Sequence, residues 1–167
     1  MYTVYLVSVW LHILAAIAWI GGMIFLALVL APYARRAEQR DIAVSLIRWT
    51  GLRFRTVGWH CIAILVVTGI LNLSYRGHEW TRLSGEFWRS RFGHILAMKL
   101  ALVGIILFTS VIHDFVIGPR AGELGRKNPQ SSGASRLRRQ ATWMGRLNLL
   151  LTLAVVALAV ILVRGLP

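Results

Sequence analysis

Five histidines and one lysine carry most of the chemistry open to this chain. His12, His60, His94 and His113 fall inside apolar stretches, whereas His78 sits in a polar segment. Lys99 is the only lysine or arginine well inside such a stretch. An ionisable group at bilayer depth is costly and marks a functional candidate by default. Imidazole ligates both haem iron and copper, and four-helix bundles build such sites between facing helices. A bis-histidine haem needs two ligands on different helices at similar depth. At a rise of 1.5 Å per residue, His12 lies about 7 Å, Lys99 about 9 Å and His94 about 16 Å to the outer side of the helix centres. His60 lies about 7 Å and His113 about 12 Å to the inner side. The depths thus define an outer set, His12, His94 and Lys99, and an inner set, His60 and His113. The expected chemistry is that of a membrane b-type haem protein with one or two haems. His12 and His94 form one ligand pair and His60 and His113 the other. Lys99 is the catalytic candidate, as proton donor, alternative ligand or propionate partner.

Each assignment has a plainer counterpart. His94 and His113 stand near helix ends, where a histidine serves the interface, and Lys99 can snorkel outward. Asn72 and Asn148 read as interhelical hydrogen-bond glue. Asp114 can orient the His113 ring, although neighbours on an α-helix point about 100° apart, so a solvated aspartate is an equal alternative. Cys61 and Met23 are soft donors suited to copper, or packing. The rival to haem is therefore copper held by the same four histidines with Met23 or Cys61. A third class is a small structural subunit of a larger membrane complex, its histidines only packed. The chain has no nucleophile–base triad, phosphate-binding glycine loop or CxxC motif, so hydrolase and nucleotide-dependent chemistry find no support.

These residues are positioned by four apolar stretches, at about 4–31, 56–75, 93–118 and 147–163. Each is long enough, near 20 residues, to cross a hydrocarbon core as a helix. The expected architecture is all-α: one domain over residues 1–167, an integral membrane antiparallel four-helix bundle. Of 167 residues, 57% are hydrophobic and only 15% charged, which is too little charge to coat a soluble domain. One cysteine excludes an internal disulfide framework or a multi-cysteine metal site. The first stretch lacks a basic leader and is too long for a signal h-region, so it is expected to be a retained helix. No long-period repeat and no coiled-coil heptad is evident.

The formal charge of +13 arises from 19 Lys+Arg against 6 Asp+Glu. Thirteen of these cations lie in the segments around 32–55 and 119–146, and five lie at Arg76, Arg82, Arg89, Arg91 and Arg164. The positive-inside rule then places both termini outside the cytoplasm of a bacterial-type inner membrane. It also makes membrane topology, not nucleic acid, the reason for the charge. Residues 119–142 are expected to be a flexible loop with a basic, phospholipid-facing surface. Ala18 with Gly22, and Ala97 with Ala101, have the small-xxx-small spacing that permits close helix approach in lipid. Trp10, Tyr75, Trp80 and Trp88 are expected near the outer interface, and Trp49 and Trp143 near the inner one.

The segments LHILAAIAWIGGMIFLALVLAP, RFRTVGWHCIAILVVTGILN, HILAMKLALVGIILF, HDFVIGPR and GRLNLLLTLAVVALAVIL together cover nearly the whole chain. In these segments it resembles the CopD-like membrane family and, more distantly, the HemJ-type protoporphyrinogen oxidases. The LH…W-x-GG pattern and the Lys99-Leu100 pair are the most specific parts. The CopD resemblance implies a four-helix membrane core and a link to copper uptake or resistance. The HemJ resemblance implies b-type haem, with a helix-one histidine and a helix-three lysine important, which carries onto His12 and Lys99. The Met-rich clusters of a dedicated copper path are missing from the chain. Expected partners are the lipid bilayer and a quinone or redox protein, with self-association or a larger complex also open, and no nucleic acid.

Overall fold

The computed structural model describes residues 2–36, 40–75, 85–128 and 131–164, and among these the fold is helical with no strand. His78, Arg76, Trp80 and Arg82, all assigned above to the outer connection, lie outside the described residues. Four helices are long and apolar enough to cross a membrane. The chain divides into two compact units, residues 1–87 and 88–167.

The first unit is a helical hairpin. Helix α1 (Tyr2–Phe25) runs through a π-helical turn (Leu26–Leu30) into the short α2 (Ala31–Arg36), and α3 (Arg40–Tyr75) returns antiparallel to it. In the second unit, following the short α4 (Gly85–Arg89), α5 (Arg91–Ile112) runs through a second π-helical turn (His113–Ile117) into α6 (Gly118–Lys127). Helix α7 (Ser132–Arg164) then packs back along α5 and α6. The two units thus share one local plan, which the sequence did not display as a repeat. In both, the second residue after the π turn is a proline, Pro32 or Pro119. Proline lacks the N–H of the α-helical ladder and its ring collides with the carbonyl four residues back. The wider turn relieves that conflict, with Ala31 N–H bonding Leu26 O and Gly118 N–H bonding His113 O. A Cβ at Gly118 would stand 3.0 Å from His113 O, so glycine suits the second turn.

Within the first hairpin the contact faces follow alternating steps of three and four residues. On α1 the stripe is Tyr5, Ser8, His12, Ala15, Trp19 and Gly22, all buried or half-buried. On α3 it is Phe54, Gly58, Cys61, Leu65, Thr68 and Asn72. This is heptad spacing, missed in the sequence because the stripe mixes small and polar residues with rings while most leucine, isoleucine and valine residues face outward. Phe54 packs on the bare backbone of Gly22, where an added Cβ would fall 2.1 Å from Cε2. Trp19 lies across Gly58, its Nε1 3.5 Å from where a Cβ would stand. The small-xxx-small expectation is therefore corrected in detail. Gly22 receives a ring rather than a backbone, and Ala18, Ala97 and Ala101 lie on exposed faces.

The helices also outrun the stretches marked by hydropathy. Helix α3 begins at Arg40 and α7 at Ser132, each about four turns ahead of its apolar part. The segment 119–142, expected as a loop, is mostly helix. Arginine, alanine, leucine and glutamine extend an existing helix at little cost, since nucleation is already met. Asn128 and Ser131 flank the connection between α6 and α7. Asn128 N–H bonds Leu124 O at 2.9 Å, and Ser131 Oγ accepts from Ala134 N–H at 3.2 Å as the cap of α7. The Ser-Ser-Gly run is thus a helix start, and Ala134 is fully buried beside it. Glu123 and Lys127 pair along α6 at 2.7 Å. Arg53 lies over Trp49 and Arg146 over Trp143, at 5.6 and 5.7 Å from the ring centroids. Both pairs suit a lipid–water boundary, with the ring in the apolar layer and the cation outward.

Candidate metal-ligating histidines

His12 is half-buried on the contact face of α1, opposite Thr68 of α3. Its Nδ1 lies 2.7 Å from Thr68 Oγ1. The Thr68 hydroxyl proton is already given to Ile64 O at 2.6 Å, so the threonine oxygen accepts and His12 Nδ1 donates. The neutral ring therefore carries its lone pair on Nε2. The ring also lies against Gly69, where a Cβ would be 3.6 Å from His12 Cε1. Ser8, one turn along α1, makes a long contact of 3.5 Å to Thr68 O.

The other three membrane histidines are held through the same nitrogen. His60 Nδ1 donates to Thr56 O at 2.8 Å and His94 Nδ1 to Ser90 O at 3.0 Å, each one turn back on its own helix. Both rings are exposed at the helix surface. His113 Nδ1 lies 2.8 Å from Asp114 Oδ1, with the two side chains 33% and 20% exposed. An α-helix would point these neighbours apart, but they stand at the start of the π-helical turn and meet there. Of the two readings of Asp114 weighed above, ring orientation is the one seen.

Within a unit, no two of these histidines are brought together. His12 and His60 sit on different helices of the first hairpin, but His60 is eight residues, about 12 Å, along α3 from the Thr68 that meets His12. His94 and His113 stand nineteen residues apart on one continuous helical run. Each pair inferred from depth takes one histidine from each unit. Among the described residues no three His, Cys, Asp or Glu side chains gather as a metal cage. Lys99 is half-buried on the stripe of α5 that also carries Leu96, Val103, Ile106 and Ser110. Like His12 in the first hairpin, it stands twenty residues ahead of the proline that follows the π turn. Cys61 is buried on the α3 stripe, two turns from Thr68.

Sequence reasoning treated the two asparagines alike, and the structure separates them. Asn148 is buried and does act as glue. Its Nδ2 donates to Ser110 Oγ at 2.9 Å, its Oδ1 accepts from Thr109, and Thr152 donates to its carbonyl at 2.7 Å. The Oδ1 of Asn72 is buried and accepts no hydrogen bond among the described residues. The threonine that holds His12, Thr68, was also missed, since a threonine in an apolar run gives no signal until its neighbour is known.

Four membrane-length helices among the described residues, three of them bearing imidazoles with oriented rings, define an all-helical, multi-pass membrane protein. The chain belongs to the Copper resistance protein D (CopD) family, whose model matches residues 50–162. The match takes in His60, His94, Lys99 and His113, while His12 lies ahead of it. An uncharacterized protein of Aquifex aeolicus (strain VF5) is 31% identical over 151 residues, covering 90% of this chain and 89% of that protein. No solved structure matches the chain.

Proposed function

We propose that this CopD-family protein handles copper within the membrane, with copper as cargo and histidine Nε2 atoms as its main donors. One observation carries the reading beyond family membership. All four membrane histidines rest Nδ1 on an oxygen, namely Thr68 Oγ1, Thr56 O, Ser90 O and Asp114 Oδ1. Metal-ligating histidines are habitually oriented in this way, by an oxygen acceptor on the nitrogen that does not bind metal. Imidazole suits copper, and a passing ion needs sites weak enough to leave. Donors spread along the helices fit passage better than storage. His12 is the principal ligand in this reading, because it is partly buried and held from a second helix. His60 is a further donor in the first unit, and His94 and His113 are further donors in the second, which also carries Lys99 as a charged group at membrane depth. The basic residues around 32–55 and 119–146 support an orientation with both termini outside the cytoplasm.

The second reading is b-type haem on the same histidines, with Lys99 as proton donor or propionate partner and a quinol or redox protein as electron source. The ring orientation favours it equally, since iron also binds Nε2. When bound, haem would supply one-electron transfer. Purification in mild detergent separates the two. Stoichiometric copper in a colourless protein, lowered by His12→Ala, is the expected result. A Soret band lost in the same variant would replace copper by haem. Neither copper nor haem would leave a structural subunit.

A further inference from the structure

The open end of the first hairpin, where α1 begins and α3 ends, carries a polar seam of which the copper reading uses only His12 and Thr68. Four side chains define it. Ser8 and His12 stand one turn apart on α1, and Thr68 and Asn72 one turn apart on α3. Three of them are already linked, by His12 Nδ1 to Thr68 Oγ1 at 2.7 Å and by the long 3.5 Å contact from Ser8 Oγ to Thr68 O. The fourth is not: Asn72 Oδ1 is buried without a donor among the described residues. A buried amide oxygen left so is costly, and such atoms are normally met by ordered water. Asn72 stands four residues, about 6 Å, along α3 from Thr68, a gap that two linked waters span at about 2.8 Å per hydrogen bond. Tyr5 and Tyr75 pair across the mouth at 5.9 Å between ring centroids, with amphipathic rings suited to a lipid–water boundary.

The seam changes character just past His12. Its next residues are Ala15 on α1 and Leu65 and Cys61 on α3, followed by Gly58 under the Trp19 indole. These offer water no comparable set of partners. The flanks of the hairpin differ again. Val4, Val7, Leu11, Ala63, Ile64, Val67 and Leu71 line a wholly apolar groove of about 450 Å³ that passes Ser8 and Thr68 without exposing polar surface. Water entering at the open end would therefore follow the seam, not the groove.

We propose that the Ser8–Asn72–Thr68 seam is a water site that connects the open end of the first hairpin to the His12 ring and stops at Ala15 and Cys61. Its ligand is water together with the protons water carries. In the proposed function it lets His12 exchange protons with the outer solution as it takes up or releases a metal. That purpose rests on His12 being a ligand, but the hydration does not.

The test reads water access and needs no metal. Ser8→Cys and Asn72→Cys are compared with Val7→Cys and Leu71→Cys, which lie at matching depth on the apolar groove. Open membrane fragments are treated with a small, charged, thiol-specific reagent, and the labelled residue is identified by peptide mass. Native Cys61 stays in place as an internal marker of the seam beyond His12. Thiolate is the reacting species, and each unit by which an apolar setting raises a thiol pKa slows labelling about tenfold. Ser8→Cys and Asn72→Cys should label at least about tenfold faster than the two groove positions, with Cys61 unlabelled. Adding Asn72→Leu should slow the Ser8→Cys reaction toward the groove rate. Equal rates at seam and groove positions would overturn the proposal, as would labelling of Cys61 as fast as Ser8→Cys. A folded variant is recognised by its unchanged elution in detergent, and if Asn72→Cys fails that check, Ser8→Cys and Cys61 still decide. A hydrated seam in a protein that binds no copper would refute the functional reading alone.

Discussion

Thr68→Val isolates the contact that orients His12. Valine keeps the β-branched shape of threonine and removes only the hydroxyl, which is buried between α1 and α3. The His12 contact and the hydroxyl's bond to Ile64 O, with its longer branch to Leu65 O at 3.4 Å, are lost. The bond to Ile64 O runs along α3 to a carbonyl that lies in the helical ladder, so its loss costs little. The 2.7 Å bond from His12 Nδ1 is different, because the ring N–H is left without this acceptor and the ring is no longer fixed. A fully buried orphan of this kind costs about 1–3 kcal/mol. The half-buried ring can turn toward a new partner, so a stability loss of about 1 kcal/mol is expected. The effect on metal should be larger in proportion. Removing the oxygen partner of a ligating histidine typically lowers affinity about 10- to 100-fold, equivalent to about 1.4–2.7 kcal/mol. The assay is competition for copper against a chromophoric chelator, with the protein in lipid nanodiscs under reducing conditions. Thr68→Ser restores the hydroxyl and should bind close to wild type, whereas His12→Ala should weaken binding at least as much as Thr68→Val. Wild-type affinity in Thr68→Val alongside a clear loss in His12→Ala would show that the contact does not organise the ligand. Unchanged affinity in both would remove His12 from the site.

Asn148→Leu should destabilise the second hairpin by about 1–2 kcal/mol, from two interhelical side-chain bonds of ordinary strength in a membrane. Unfolding in mixed micelles checks this, and Ser110→Ala should add little in that background, since Ser110 has then lost the same partner. Gly22→Ala should cost about 1–3 kcal/mol by overpacking against Phe54, and appreciably less when Phe54→Ala is already present. Thermal aggregation in detergent reads the difference, and equal costs in both backgrounds would mean that the ring moves aside freely. Ser132→Cys should react with an impermeant thiol reagent in inverted vesicles and not in intact cells, as the distribution of basic residues requires. The reverse pattern would invert the topology without touching the fold.

The sequence by itself determined that this is a four-span, all-helical membrane protein, because the span length is set by the bilayer and backbone polar groups in lipid must bond internally. It also exposed His12, His60, His94, His113 and Lys99, since a polar group in an apolar run stands out without any knowledge of its neighbours. It could not show which faces meet. In water the buried face is the apolar one and hydropathy reveals it; in lipid leucine and valine face outward. The contact face instead mixes small or polar residues, Ser8, His12, Ala15, Gly58, Cys61, Thr68 and Asn72, with Tyr5, Trp19, Phe54 and Leu65, so no hydropathy stripe marks it. The polar ends of the helices were hidden for a related reason. Beyond the apolar part hydropathy falls silent, while helix propensity and the Ser131 cap carry α3 and α7 about four turns further. Only the tertiary structure decided that Thr68 fixes the His12 ring, that a π-helical turn brings Asp114 onto His113, and that Asn148 is satisfied where Asn72 is not. The first and the last depend on the register of the helix alongside, which the pairing of the helices sets, whereas the His113–Asp114 contact follows from the backbone geometry of the π turn itself.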